Sequence, residues 1–241
     1  MFGYSLTMSD NIFVLIPAHN EQDSISGLID EVVSHIPKSR VVVINDGSVD
    51  KTMERASTKK VDLINFPKRM GIGKVMSLGV KKFLKSKEEL LVRIDGDGQH
   101  NPEDFEKLKK MMVDNLADIV VGSRYKKDVR VVGENYSILG EAFFFIVRKL
   151  VHKTSGVFLS DPTSGFMLMN RKAAKIILEM KNNYLEPEMY AYLSRRGCKL
   201  VEVDVSMRMR IAGTSFYRGI SGYLYGLKII RDLLLTMRRN R

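Results

Sequence analysis

The chain has 241 residues, which is enough for one domain with a substantial hydrophobic core. Its 39 Lys and Arg residues outnumber its 28 Asp and Glu residues, and the net charge of +11 favours a polyanionic partner such as nucleic acid, anionic lipid or a phosphorylated substrate. The single cysteine, Cys198, excludes an internal disulfide framework and a multi-cysteine zinc site, and is expected to be a small buried residue.

The first half of the chain alternates predicted strands with predicted helices. Continuous apolar runs, typical of strands buried on both faces, cover residues 12–16 and 41–44. Two further strands are predicted over residues 63–66 and 90–94. Apolar residues at helical spacing follow the first three runs, over residues 24–36, 51–58 and 71–84, with Ser48 or Asp50 as the expected cap of the second helix. This alternation predicts a parallel sheet with helices on both faces.

The second half is less regular. Strands are predicted over residues 119–124, 166–169 and 200–205, and helices over 134–158, 171–181 and 186–196. Residues 1–11 lack a signal-peptide pattern, and no uncharged apolar run reaches about 18 residues, so an intracellular protein without a membrane span is expected.

Polar residues accumulate where the predicted strands end. They form the segments Pro17–Glu21, Asn45–Asp50, Asn65–Gly73 and Asp95–His100. Ligands of open parallel sheets bind at the carboxyl ends of the strands, so these segments are expected to form one site.

The segment Asp95-Gly96-Asp97-Gly98-Gln99-His100 is the most informative of the four. In an extended backbone, residues i and i+2 point to the same side, so the two carboxylates would converge and repel each other unless a cation lies between them. A hard divalent ion that shares its other ligands with a phosphate suits such a pair. The alternative is a strand-end turn with two solvated acids.

Six motifs occur in order along the chain. They are Pro17-Ala18-His19-Asn20-Glu21, Asn45-Asp46-Gly47-Ser48-Val49-Asp50, Asp95–His100, Gly122-Ser123-Arg124-Tyr125, Asp161–Phe166 and Arg210-Ile211-Ala212-Gly213-Thr214-Ser215. Their order and spacing resemble family 2 glycosyltransferases of the GT-A fold, and most closely their dolichol-phosphate mannosyltransferase-like, polyprenyl-phosphate branch. The resemblance covers about residues 11–215 and implies an α/β fold with a mostly parallel sheet flanked by helices. We expect a catalytic domain over residues 1–215, followed by a basic amphipathic tail over 216–241.

Two positions depart from the family pattern. His19 stands where an aromatic residue is usual, and Asn45 replaces the first of two aspartates. Both departures affect the choice of nucleotide sugar rather than the metal-binding motif.

The resemblance implies a nucleotide-diphosphate sugar donor, a GDP- or UDP-sugar, whose phosphates are bridged by Mg²⁺ or Mn²⁺. The ion offsets charge that accumulates on the leaving diphosphate. Asp95, Asp97 and Gln99 match the metal-site positions, although Gln99 also suits an ordinary turn. The positions that match the donor-nucleotide site are Pro17, Asn20, Glu21, Asp46, Asp95 and Gly96.

The acceptor implied by the resemblance is a polyprenyl phosphate, dolichyl or undecaprenyl, that receives a hexose, mannose or glucose, with inversion. Arg124, Arg210 and Ser215 are the expected ligands of its phosphate, because guanidinium groups bind phosphate through two donors and keep their charge. Asp97, Arg124 and Arg210 are the expected catalytic residues. A sugar-hydroxyl acceptor would instead need a carboxylate base, and the candidates are Asp161, Glu186 and Glu188.

Residues 216–237 place apolar side chains at near-helical spacing among basic residues. This pattern is typical of a segment lying in a membrane interface, and equally of a helix packed on the catalytic domain or on a partner subunit. We therefore expect peripheral association with the cytoplasmic face of a membrane, directly or through a membrane-embedded partner subunit.

Three other interpretations stay open. A family 2 enzyme that extends a cell-surface glycan is the nearest, and a catalytically inactive assembly partner is a second. A basic nucleic-acid-binding protein is the third, but the chain has no Trp and no recognisable binding motif, so no nucleic-acid partner is expected.

Overall fold

The structure, a computed structural model, describes residues 11–126, 129–130, 138–180, 186–209 and 226–234. The strands are β1 (Ile12–Ala18), β2 (Arg40–Asn45), β3 (Asp62–Asn65), β4 (Leu90–Arg93), β5 (Ile119–Ser123), β6 (Tyr125–Lys126), β7 (Val129–Arg130), β8 (Met167–Asn170) and β9 (Leu200–Asp204). The helices are α1 (Ile25–His35), α2 (Thr52–Ser57), α3 (Ile72–Leu84), α4 (Phe105–Asn115), α5 (Ile138–Ser155), α6 (Arg171–Leu178) and α7 (Glu186–Arg195), with a 3-10 turn over Pro102–Asp104.

A seven-stranded sheet in the order β3-β2-β1-β4-β8-β5-β9 organises the described residues. β8 is antiparallel to both of its neighbours, β4 and β5, and every other neighbouring pair is parallel. The expected mostly parallel sheet is therefore confirmed. β6 and β7 form a separate short antiparallel pair immediately after β5.

The core lies on both faces of this sheet because successive strand residues point to opposite sides. In β1, Phe13 and Leu15 belong to one buried cluster, which includes residues of α3, α5, α6 and α7. Val14 and Ile16 belong to the other, which includes residues of α1 and α4. Continuous apolar runs in the sequence thus correspond to strands buried on both faces.

Helix α4 was not among the predicted elements. Its apolar positions Phe105, Leu108 and Met112 are buried at helical spacing, while most of its other residues are charged or polar. The helix ends at Leu116, which adopts a left-handed conformation with φ 49°. The predicted helix over 134–158 is observed as α5; residues 131–137 lie outside the described part of the chain.

Cys198 is a core residue, as expected. Burial raises the pKa of its thiol to about 11, so it is a small apolar side chain and not an activated nucleophile. Among the described helices, none is both long and apolar enough to cross a membrane.

Part of the predicted tail belongs to the core. Residues 226–234 form a helix, called the C-terminal helix below, and its Ile229 and Leu233 are buried in the same cluster as Val147 and Val151 of α5. The predicted domain boundary after residue 215 lies outside the described residues, as do residues 216–225 and 235–241 of the tail.

Candidate active site

The two aspartates of the central motif lie in a turn after β4. The strand ends at Arg93, and residues 96 and 97 already belong to the turn, so the extended-backbone geometry assumed from the sequence is wrong here. Asp97 is buried, and its Oδ1 accepts a hydrogen bond from the Gln99 N–H at 3.0 Å. The two aspartates thus lie in the segment that leaves β4 and not within a strand.

His100 supports the turn that contains Asp95 and Asp97, which is called the acidic turn below. Its Nδ1 accepts a hydrogen bond from the Asp95 N–H at 3.0 Å, and its ring stacks on Phe166 with centroids 5.0 Å apart. Burial lowers the pKa of His100, although the negative charges of Asp95 and Asp97 act in the opposite direction. The imidazole is therefore a neutral structural support, and both carboxylates lie close enough to influence it.

Gly96 joins the acidic turn to the end of β1. Its N–H donates to the Pro17 carbonyl at 3.0 Å, and its own carbonyl accepts from Ser24 Oγ at 2.7 Å. A Cβ at position 96 would lie 2.9 Å from the Pro17 oxygen, so only glycine permits this approach. Two of the predicted donor-site positions, Pro17 and Gly96, are in direct contact.

The loops after β1 and β2 are also linked. The Asn20 N–H donates to Ser48 Oγ at 2.9 Å, and Asn20 Oδ1 accepts from the Val49 N–H at 3.0 Å. The Glu21 N–H donates to Thr52 Oγ1 at 2.7 Å. Asn20 and Glu21 are thus held at the carboxyl ends of the strands, on the same side of the sheet as the acidic turn.

Asp46 ties in the loop after β3. Its two carboxylate oxygens accept hydrogen bonds from the N–H groups of Met70 and Gly71, at 2.6 and 2.9 Å. Next to it, Gly47 has φ +65°, and a Cβ there would lie 2.3 Å from the carbonyl carbon of Lys68. Asp46 is buried and shapes the loop, and its contact with a donor nucleotide stays a prediction.

The two departures from the family pattern have structural roles. Asn45 is buried, and its Nδ2 donates to Asn65 Oδ1 at 2.7 Å, which joins the ends of β2 and β3. The His19 ring contacts the Asp46 carbonyl through Nδ1 at 2.8 Å. Both residues hold the loops of this edge together.

Arg124 lies just after β5 and forms a buried ion pair with Asp161. Its Nε and Nη2 donate to the two carboxylate oxygens at 2.6 and 2.7 Å, and Nη2 also donates to Thr163 Oγ1 at 2.8 Å. Burial by itself would raise the pKa of Asp161, but the charge and hydrogen bonds of Arg124 hold that pKa below its usual value. The paired donors predicted to bind phosphate are therefore engaged by a protein carboxylate.

The remaining predicted phosphate ligands, and the neighbouring Arg208, are located as follows in the structure. Arg210 and Ser215 lie outside the described residues. Arg208, which is two residues from Arg210, pairs with Glu31 at 2.6 Å and donates to Asn101 Oδ1 at 2.9 Å. The Arg208 N–H donates to the Gln99 carbonyl at 2.8 Å, so the chain before Arg210 runs beside the acidic turn.

Several residues of this region were not singled out from the sequence. Arg93 binds Asp95 and Glu186, and the Glu202 carboxylate accepts from the N–H groups of Ser160 and Asp161. Tyr190 is fully buried and donates to the Ser164 carbonyl at 2.6 Å. The available signal for Arg93 was its position as a charged residue inside an apolar run.

These features lie at the strand ends of a fold that is shared with known enzymes. Residues 13–178 match the model of Glycosyl transferase family 2. The chain belongs to this family. An uncharacterized protein of Methanocaldococcus jannaschii is 30% identical over 94% of this chain and 92% of its own length. A dolichyl-phosphate beta-glucosyltransferase of Trichomonas vaginalis is 28% identical over 83% of this chain and 68% of its own length.

The fold is also that of solved glycosyltransferase structures. Glucosyl-3-phosphoglycerate synthase from Mycobacterium tuberculosis, in complex with Mg²⁺ and uridine diphosphate, superimposes with a TM-score of 0.71. The alignment covers 94% of this chain and 79% of that chain at 19% sequence identity. This match confirms the predicted GT-A fold, and the family model confirms the glycosyltransferase identity.

Proposed function

We propose that this family 2 glycosyltransferase transfers a hexose, glucose or mannose, from a GDP- or UDP-sugar to a polyprenyl phosphate, with the aid of Mg²⁺ or Mn²⁺. The observation that carries the choice of acceptor is the state of the carboxylates near the site. Asp161 and Glu186, two of the three candidate bases, are each held in a buried ion pair with an arginine.

This pairing favours an acceptor that needs no base. A phosphate oxygen is already ionised near neutral pH, whereas a sugar hydroxyl must lose a proton during attack. An aspartate whose pKa is held low by Arg124 is a weak proton acceptor. The name of the dolichyl-phosphate relative supports the same choice.

The donor end of the proposal depends on the acidic turn. Among the described residues, no cluster of three or more Asp, Glu, His or Cys side chains could hold a metal ion without a substrate. Two carboxylates suit a divalent ion that takes its further ligands from substrate phosphates. Asp95, Asp97 and Gln99 would hold the ion, which would stabilise negative charge on the leaving diphosphate. Pro17, Asn20, Glu21, Asp46 and Gly96 would surround the nucleotide.

The protein then has to position two anionic substrates. An oxygen of the acceptor phosphate forms a bond to C1 of the sugar while the bond from C1 to the donor diphosphate oxygen breaks, which inverts that carbon. Arg210 and Ser215 would bind the acceptor phosphate in line with this bond, and Arg124 would contribute its positive charge beside that phosphate. Asp161 and Thr163 hold the guanidinium of Arg124 in place through Nε and Nη2.

The lipid acceptor requires access to a membrane, and we place the protein peripherally on its cytoplasmic face. Phe145 and Ile146 of α5 and Leu227 of the C-terminal helix are exposed apolar residues, and Lys149 lies 4.3 Å from the Phe145 ring centroid. Apolar side chains beside lysines fit an anionic lipid surface. A membrane-embedded partner subunit is the alternative means of attachment.

The proposal is tested by incubating the protein with labelled UDP-glucose or GDP-mannose, Mg²⁺ or Mn²⁺, and a short polyprenyl phosphate. We expect label in the organic extract, lost with EDTA and reduced at least about 100-fold by Asp97→Ala. Asp114→Ala, which removes an exposed carboxylate paired with Lys110, is the matched control and keeps its activity. Label found only on an added glycan would contradict the phosphate acceptor.

A further inference from the structure

Arg93 is a charged residue inside a strand that is otherwise apolar. Its side chain is 6% exposed, and the preceding residues Leu91 and Val92 are fully buried. A guanidinium in such a place is costly unless carboxylates and hydrogen bonds compensate its charge. The contacts that compensate the charge of Arg93 therefore indicate its role.

Two carboxylates from different parts of the chain bind this guanidinium. Arg93 Nε donates to Asp95 Oδ1 at 2.7 Å, and Nη1 donates to Glu186 Oε1 at 2.5 Å. Glu186 is the first residue of α7 and its side chain is only 7% exposed. The Asp95 side chain is 29% exposed. The buried Arg93–Glu186 pair therefore contacts a carboxylate of the acidic turn that is accessible to solvent.

Gly165 leaves the space that this arrangement needs. A Cβ at position 165 would lie 2.6 Å from Asp95 Oδ2 and 2.7 Å from Arg93 Nη2. The backbone of the segment before β8 thus packs directly against both partners. The Asp95 carboxylate is restrained by Arg93 through Oδ1 and by the main chain of Gly165 beside Oδ2.

We propose that Arg93 and Glu186 are positioning residues that fix the orientation of the Asp95 carboxylate for binding of a metal–nucleotide diphosphate. This inference rests on the function proposed above, and it assigns Glu186 a role other than that of a base. An aspartate after the end of a strand would otherwise rotate freely, and binding would have to restrict it. Residues that orient metal ligands typically contribute about 10- to 100-fold to metal affinity.

The test measures binding of Mn²⁺ directly, from the electron paramagnetic resonance signal of free Mn²⁺, in the presence of UDP or GDP. We expect Arg93→Met to weaken Mn²⁺ binding about 10- to 100-fold. In steady-state assays the same variant raises the KM for metal and donor and leaves the KM for polyprenyl phosphate unchanged. Arg171→Met is the matched control, because Arg171 is a half-buried arginine whose guanidinium contacts main-chain carbonyls at the end of α3 and the Phe83 ring, away from the acidic turn.

A second variant guards against misfolding. Arg93→Met leaves Glu186 as an uncompensated buried charge, whereas the double variant Arg93→Met/Glu186→Met removes both charges and is expected to fold. We expect the double variant to have a circular dichroism spectrum like that of the wild type. We also expect it to show the same loss of Mn²⁺ binding as Arg93→Met. Unchanged Mn²⁺ binding in a folded Arg93 variant would show a purely structural role and overturn the inference.

Asp97→Ala separates the two proposals. If Asp97→Ala loses Mn²⁺ and the Arg93 variants do not, the proposed metal site stands and the positioning role is wrong. If the wild-type protein does not bind Mn²⁺ in the presence of either UDP or GDP, the proposed function itself is contradicted, and the positioning role with it.

Discussion

Asp161 illustrates how burial and a single partner decide what a carboxylate is able to do. It is fully buried, and Arg124 binds both of its oxygens while being only 17% exposed itself. The carboxylate is therefore held in its charged form and contributes to stability through the pair. Its neighbour Glu202 has a pKa that burial raises, although hydrogen bonds from Ser160 and Asp161 act against that shift.

We expect Asp161→Asn to lower the free energy of unfolding by about 3 kcal/mol at pH 7, because it leaves the Arg124 charge without its buried partner. The pKa of Asp161 is lower in the folded protein than in the unfolded chain. The stability that the charge provides is thus complete above the unfolded pKa of about 3.9 and is lost as the pH falls through the folded pKa.

Urea unfolding of the wild type and the variant at pH 7 and pH 3 measures this difference. Asp114→Asn, at an exposed ion pair, is the control and is expected to change stability by less than about 0.5 kcal/mol. A difference between wild type and Asp161→Asn that grows as the pH falls would contradict the assignment.

Among individual residues, sequence reasoning located the acidic turn and assigned His100 a structural role, but it missed the support from Arg93 and Gly165. Asp95 and Asp97 were identified because two acids after an apolar run are unusual, and this signal is local. The support comes from Arg93, His100 and Gly165, and two of these contacts link residues far apart in sequence. Long-range pairs of this kind leave no pattern in a single sequence.

At the scale of elements, Arg171 joins α6 to the end of α3. Its guanidinium donates to the carbonyls of Leu84, Ser86 and Glu88 at 2.6, 3.2 and 2.8 Å, and it lies over the Phe83 ring at 5.3 Å. The last carbonyls of a helix have no partner within the helix, so a cation placed there satisfies them. This arginine fixes the connection that leads into β4.

We predict that Arg171→Met lowers the free energy of unfolding by about 2–3 kcal/mol, since hydrogen bonds from a charged donor contribute about 1.5–3 kcal/mol. Hydrogen exchange should become faster for the last turn of α3 and for residues 85–90. Lys175→Met, an exposed change on the same helix, is the control. Unaltered exchange in α3 would show that water replaces the lost contacts.

The elements themselves were predicted where the pattern is continuous. The strand–helix alternation from β1 to β4 is confirmed because the buried parallel strands are mostly apolar, which makes them recognisable in the sequence. The direction of β8 was not predictable, since an apolar run has the same composition whether it pairs parallel or antiparallel. α4 was missed because its buried face is narrow and most of its residues are charged or polar.

At the scale of the whole molecule, the net charge of +11 now has a specific interpretation. Family membership and the nature of the site favour phosphorylated ligands and a lipid surface over nucleic acid. The surface that we propose to contact a membrane lies where α5 and the C-terminal helix pack together. A Cβ at Gly226 would lie 2.8 Å from the Phe143 ring, which shows how closely the two helices approach.

We therefore predict that the protein binds vesicles that contain anionic lipid, and that Phe145→Asp and Leu227→Asp each weaken this binding about tenfold. Each residue exposes more than half of its surface, 56% for Phe145 and 63% for Leu227, and burying a large apolar side chain contributes about 1.5–3 kcal/mol. Partial insertion corresponds to the lower end of that range. Vesicle flotation with 30% phosphatidylglycerol, a composition chosen at roughly the charge of an anionic leaflet, measures the effect.

Val33→Asp, an equivalent change at an exposed position of α1, controls for the added negative charge. If the surface is a membrane site, Val33→Asp reduces binding less than either test variant, and raising the salt concentration weakens all variants because lysines contribute the electrostatic part. Equal losses in all three variants would mean that net charge alone attracts the protein to lipid. Attachment would then depend on a partner subunit, and the apolar residues of α5 and the C-terminal helix would be the surface on which to seek it.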